Sequence, residues 1–188
     1  MLQIVVFAVS SLLLLFHLNL GITQKSALQS ATPQSQVVTN VAAKLPVRLL
    51  IPAINVSANI QQVGVTAEGA MDVPSNTVDV GWFKLGVHPG ERGSAVIAGH
   101  FDGENGATAV FSDLYKLKEG DKLYIEDAKG KTITFVVRTS RIYDPGYADE
   151  VFSANDIAHL NLITCDGVWE GSKKSYSKRL VVFSDIVH

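Results

Sequence analysis

The sequence predicts an all-β domain, an antiparallel barrel or sandwich, preceded by an apolar segment and a polar linker. Three observations carry this. Short runs of β-branched and apolar residues recur from Leu45 onward, each bounded by Gly, Pro, Asn or Asp. In residues 131–143, Ile133, Phe135 and Val137 alternate with Thr132, Thr134 and Val136, the period of a strand with one buried face. Helical signals are confined to two brief stretches, 109–117 and 153–159, with Ser153 placed as an N-cap. Many short strands at regular spacing suit either a barrel or a sandwich, and periodicity does not choose between them.

In chain order, the first expected strand is 47–51, stopped by Pro52, and 57–63 continues in extended character. Residues 71–73 end at Pro74. Residues 94–98 (Ser-Ala-Val-Ile-Ala) form a short apolar strand after the Gly- and Pro-rich loop 86–93. Residues 122–126 and 131–143 flank Asp127-Ala128-Lys129-Gly130, a hairpin turn. Residues 161–164 and 179–184 complete the set.

Ahead of this domain, residues 2–22 carry no charged side chain and are rich in Leu, Val, Ile and Phe, about the length of a helix that spans a bilayer core. A cleaved signal peptide is the competing reading. The lack of a basic flank before the run, and of a small-x-small site before Gln24, favours an uncleaved signal anchor. Residues 23–44, rich in Gln, Ser, Thr and Ala, read as a flexible linker with a reach of roughly 25 Å. The expected organisation is therefore a transmembrane anchor at 1–22, a linker at 23–44 and a folded domain at 45–188, outside the cell on a single-pass anchor.

The 188 residues carry a net charge of −2, which offers no basic face to a nucleic acid. One cysteine, Cys165, means that no intramolecular disulfide is possible and the core alone must hold the fold. Outside the cytosol an unpaired cysteine is either a small buried hydrophobe or a nucleophile. Cys165 follows the apolar run Leu162-Ile163-Thr164 and precedes Asp166-Gly167, where a strand turns toward solvent. Both readings stand.

A nucleophilic thiol needs a base and a cation nearby. Of the histidines, His17 lies in the apolar segment and His188 is the last residue. His88 precedes Pro89-Gly90 and reads as a solvated turn residue, and His159 as a helix-end cap. His100 directly follows Val96-Ile97-Ala98-Gly99, so it emerges from a buried strand beside a glycine that permits close approach. Arg179 opens the run Leu180-Val181-Val182-Phe183; it marks a strand end or offers donors to a developing oxyanion. Lys173, Lys174 and Lys178 read as a solvated loop. Asp102 either orients His100 or forms, with Gly103, a plain turn.

Gly99-His100, Leu162-Ile163-Thr164-Cys165 and Arg179-Leu180-Val181-Val182 together resemble the sortase family of cysteine transpeptidases. The spacings are 65 residues from His100 to Cys165 and 14 from Cys165 to Arg179. The run from Pro89 to His100 is also similar to the family's approach to its histidine, and Leu162 stands where the family most often has Thr. The resemblance covers residues 45–187. It implies an eight-stranded β-barrel with short helices, an N-terminal membrane anchor, Cys165 as nucleophile, His100 as general acid/base and Arg179 as stabiliser of substrate or oxyanion. Thr164 would line the substrate groove, residues 143–155 would form the substrate-binding loop, and 166–178 the mobile loop after the cysteine.

The implied reaction cleaves an LPxTG-like sorting signal between Thr and Gly and transfers the protein to a cell-wall or pilin amine. No cofactor is expected. Asp144, Asp149 and Glu150 are too sparse for a metal site, so none is expected either. Without an aromatic lid motif, residues 105–111 look more like the class D, E and F branches. Two rivals remain: a hydrolytic thiol peptidase on the same scaffold, and a non-enzymatic surface β-barrel binding module with an inert Cys165.

Overall fold

Eight strands close into a barrel, and the closure settles the choice between barrel and sandwich. The structure, a computed structural model, describes residues 45–146, 149–153 and 156–187; the expected anchor and linker at 1–44 lie outside the described residues. The strands are β1 (Pro46–Ile51), β2 (Val56–Val63), β3 (Val80–Phe83), β4 (Gly93–Ala98), β5 (Lys122–Asp127), β6 (Thr132–Tyr143), β7 (Ala158–Glu170) and β8 (Ser175–Val187). They run around the barrel as β1-β2-β3-β4-β7-β8-β6-β5, with β5 pairing back to β1. Among the described residues no helix is long and apolar enough to cross a membrane.

Two features depart from expectation. Two neighbouring pairs, β2 with β3 and β4 with β7, are parallel, where an antiparallel sheet was expected. A parallel pair needs a long crossover between its strands, and local periodicity carries no trace of that. The expected helix at 153–159 is also replaced: Ala158 and His159 are already in β7. Helical structure among the described residues consists of 3-10 turns, including Leu114–Lys116 and Asp149–Val151.

The interior is filled by the inward residues of each strand. Leu49, Ile51, Trp82, Ile97, Phe135, Leu160, Leu162 and Val182 are all almost fully buried there. Each stabilises the fold by about 1.5–3 kcal/mol through apolar burial. The opposite face of β4, β7 and β8 is apolar too. Val96, Val181 and Phe183 pack there with Val151 and the partly buried Ile163, Met71, Phe83 and Tyr143. Side chains alternate along a strand, so Cys165 shares this outer face with Ile163, and Thr164 turns inward with Leu162.

Candidate active site

The register of β4 against β7 decides where the histidine and the cysteine meet. The pairing runs from Gly93–Ala158 to Ala98–Ile163, a constant offset of 65 residues. It continues past the last paired residues, because the Gly99 amide donates to the Ile163 carbonyl at 3.1 Å. The Thr164 hydroxyl donates to the Gly99 carbonyl at 2.8 Å. The next residues on the same offset are His100 and Cys165. On the other side of β7, Cys165 is the direct antiparallel partner of Arg179 on β8. Three adjacent strands thus bring together the three residues singled out from the sequence.

Each is held by local chemistry. Gly99 is required by close packing: a methyl at this position would overlap the ring of the fully buried Phe111. The neighbour is thus an aromatic ring, not the second backbone expected from sequence. The Phe111 amide in turn donates to the His100 carbonyl at 3.0 Å. The His100 ring lies 2.9 Å from the Pro74 carbonyl through Nε2. A carbonyl only accepts, so Nε2 carries the proton and Nδ1 is the ring nitrogen left for proton transfer.

The loop that presents Pro74 is itself pinned. The Asp79 carboxylate accepts from Asn59, Gln61 and Asn76, and Gln61 Oε1 accepts from both the amide and the hydroxyl of Ser75. These bonds, Asn76's first, hold the Asp79 carboxyl below its ordinary pKa.

Cys165 is only partly buried and belongs to neither apolar cluster. Burial pushes its thiol above the ordinary value, the Arg179 charge opposes this, and the Asp102 carboxylate adds to the rise. Arg179 donates from Nη1 to the carbonyls of Tyr176 (2.9 Å) and Lys178 (2.8 Å), and from Nη2 to Ser175 Oγ (2.9 Å). Three of its five N–H groups are engaged by its own hairpin, and two are left for a ligand.

Thr164 departs from its expected place. It is 3% exposed with its hydroxyl committed to Gly99, so it faces the barrel and not a groove. Strand alternation is the reason, since Cys165 must turn outward. The expected mobile loop at 166–178 is instead mostly strand: β7 runs to Glu170 and β8 begins at Ser175. A bulge interrupts the pairing between Asp166 and Trp169, where Gly167 adopts φ +81°. His159 is no helix cap, because its Nδ1 lies 2.7 Å from Asp185. Neither is His88 a solvated residue: its ring is half-buried against Trp82, with centroids 4.7 Å apart.

Asp102 bonds to the Tyr176 hydroxyl, not to His100. Tyr176 was missed in the sequence, and its pKa is pushed up to about 12, chiefly by that bond. No local signal marked it, because its partner Asp102 lies 74 residues away. Among the described residues no group of three His, Cys, Asp or Glu side chains is placed to hold a metal ion. Asp144 pairs with Lys178 and Glu150 with Arg141.

Comparison with known proteins gives a consistent result. The model of the Sortase domain matches residues 49–187. Sortase A of Bacillus anthracis is 33% identical over 96 residues, covering 51% of this chain. The match spans 41% of the length of that curated relative. Sortase C-1 from Actinomyces oris has a TM-score of 0.63 at 26% identity, with 86% of each chain covered. Sortase A from Corynebacterium diphtheriae has a TM-score of 0.61 at 23% identity, covering 77% of this chain and 61% of that one, a likeness of fold. With the family model extending over nearly the whole barrel, this chain belongs to the sortase family.

Proposed function

We propose that this chain is a cysteine transpeptidase that cleaves an LPxTG-like sorting signal between Thr and Gly and passes the protein to a cell-wall or pilin amine. The observation that carries this reading is the register that sets His100, just past the end of β4, next to Cys165 on β7 and Cys165 opposite Arg179 on β8. The thiol, raised by burial, rests protonated. His100 Nδ1 takes its proton as Sγ attacks the threonine carbonyl, and the free N–H groups of Arg179 receive the oxyanion. As the C–S bond forms and the C–N bond breaks, His100 returns the proton to the leaving glycine amine. The acceptor amine then attacks the thioester and expels the sulfur.

Residues 105–111 after His100, with no aromatic lid motif ahead of the barrel, support a place near the class D, E and F branches. The apolar, uncharged run at 2–22 supports a single-pass anchor with the barrel outside the cell.

The test is incubation with a labelled LPxTG-type peptide, with and without an added amine. Intact mass is expected to show a thioacyl adduct on Cys165, and ligated peptide only when amine is present. Full activity in Cys165→Ala overturns the reading, and hydrolysis unaffected by amine favours a thiol peptidase. The partial exposure of Cys165 argues against an inert binding module.

A further inference from the structure

Asp102 is a carboxylate in an unfavourable place for the first half of the reaction. A negative charge beside the thiol opposes formation of the thiolate, whereas Arg179 favours it. Its position is nonetheless well defined. Asp102 lies two residues beyond His100, its backbone bridges to Thr108, and its carboxylate accepts from the Tyr176 hydroxyl. Aromatic rings flank its partner: Phe101 packs edge-on against Tyr176 at 5.6 Å between centroids, and Trp169 does so from β7 at 5.4 Å.

Neighbouring carboxylates are already matched by cations, Asp144 by Lys178 and Glu170 by Lys173. Asp166, next to Cys165 in the chain, alternates to the other face of the strand. Among the described residues Asp102 makes no ion pair, and its partner is a neutral phenol.

We infer that Asp102 is the docking group for the second substrate, a primary ammonium carried on an alkyl stem. This rests on the transpeptidase reading above. Once the thioester has formed there is no thiolate to repel, and a carboxylate beside it draws in the cationic amine. The Phe101, Tyr176 and Trp169 rings give its methylenes an apolar wall and its charge a π face. The docked ammonium loses one proton to solvent and attacks the thioester carbon. As the C–N bond forms the C–S bond breaks, and the second proton passes through His100 to the Cys165 sulfur.

Asp102→Asn tests this, because the amide still accepts from Tyr176 but carries no charge. The thioacyl enzyme is formed first and read by intact mass, which reports on the parent reading alone. Partition between ligation and hydrolysis is then measured with Nα-acetyl-lysinamide, triglycine and hydroxylamine, the last of these neutral at pH 7.5. The KM of both cationic amines is expected to rise about tenfold in Asp102→Asn, with that of hydroxylamine unmoved. Whichever cationic amine has the lower KM in the wild-type protein identifies the side-chain or the main-chain amine as the preferred source. Alkylation of the resting thiol is expected to become faster, the opposite sign, and Asp102→Glu to restore the preference for charged amines. An unchanged KM for the cationic amines, or an equal loss for all three nucleophiles, overturns the assignment.

Discussion

The Thr164 hydroxyl and the Gly99 carbonyl are joined by a 2.8 Å hydrogen bond one residue before Cys165 and His100. It ties β7 to the end of β4 at the point where backbone pairing gives out. Thr164→Val, of nearly equal volume, leaves the Gly99 carbonyl without that partner in a buried site. The expected cost is about 1–3 kcal/mol in chemical denaturation, with a fall in kcat. Thr164→Ser retains the bond and should recover most of both. Equal stability of the Val and Ser variants would count against the tie.

Gly99→Ala probes the same junction by overpacking. The added methyl meets the Phe111 ring, which is fully buried and cannot step aside freely. A loss of about 1–3 kcal/mol is expected, together with displacement of His100, whose carbonyl is held by the Phe111 amide. Thermal unfolding and thioacyl formation measured on one preparation check both parts.

His100→Ala and Arg179→Ala should each lower kcat/KM by several powers of ten, because base, thiol and oxyanion donor act as a unit. The alkylation profile of Cys165 separates their roles. Arg179 lowers the thiol pKa in the folded protein. Its removal must therefore move the rise in alkylation rate to higher pH, so that the variant reacts more slowly at pH 8. A profile that does not move would detach Arg179 from the thiol.

Asp79 links stability to pH. Its folded pKa is depressed, so the stabilisation it provides is present above the unfolded carboxylate value and is lost as pH falls through the folded one. Asp79→Ala is expected to cost about 1–3 kcal/mol at pH 7 from its lost hydrogen bonds. The difference from the wild type should shrink at pH 3. Because the same bonds hold the loop that carries Pro74, the variant should also lose activity.

The strands that were legible in the sequence are those with an alternating or continuous apolar run ended by a turn residue. Val47 to Ile51, Ser94 to Ala98 and the hairpin around Asp127 were found within a residue or two of their observed bounds. β3 was missed because Val80-Gly81-Trp82-Phe83 is short and carries an internal glycine. It is made a strand by its neighbours: Gly81 sits where a side chain would strike Val63, allowing β2 and β3 to approach. β7 and β8 outrun their apolar segments because they continue as a hairpin whose residues satisfy each other's backbone. His100, Cys165 and Arg179 were legible as an ordered set of motifs. Pro74 was not, since it contributes a main-chain carbonyl that any residue would supply. Tyr176 was hidden because its partner Asp102 is 74 residues away.

The parallel pairing of β4 with β7 also governs when chemistry becomes possible. Its contacts span 65 residues, and such long-range closures come late and slowly in folding. The crossover between them contains β5 and β6, and Arg179 arrives on β8, which must slot between β6 and β7. A chain that has made every hairpin but not closed the barrel therefore has Cys165 beside Arg179 on the β7–β8 hairpin but no base next to the thiol. Nascent, misfolded or heat-loosened copies are catalytically silent by construction. The reactive cysteine is switched on by the completed topology itself, so the fold acts as its own safety catch.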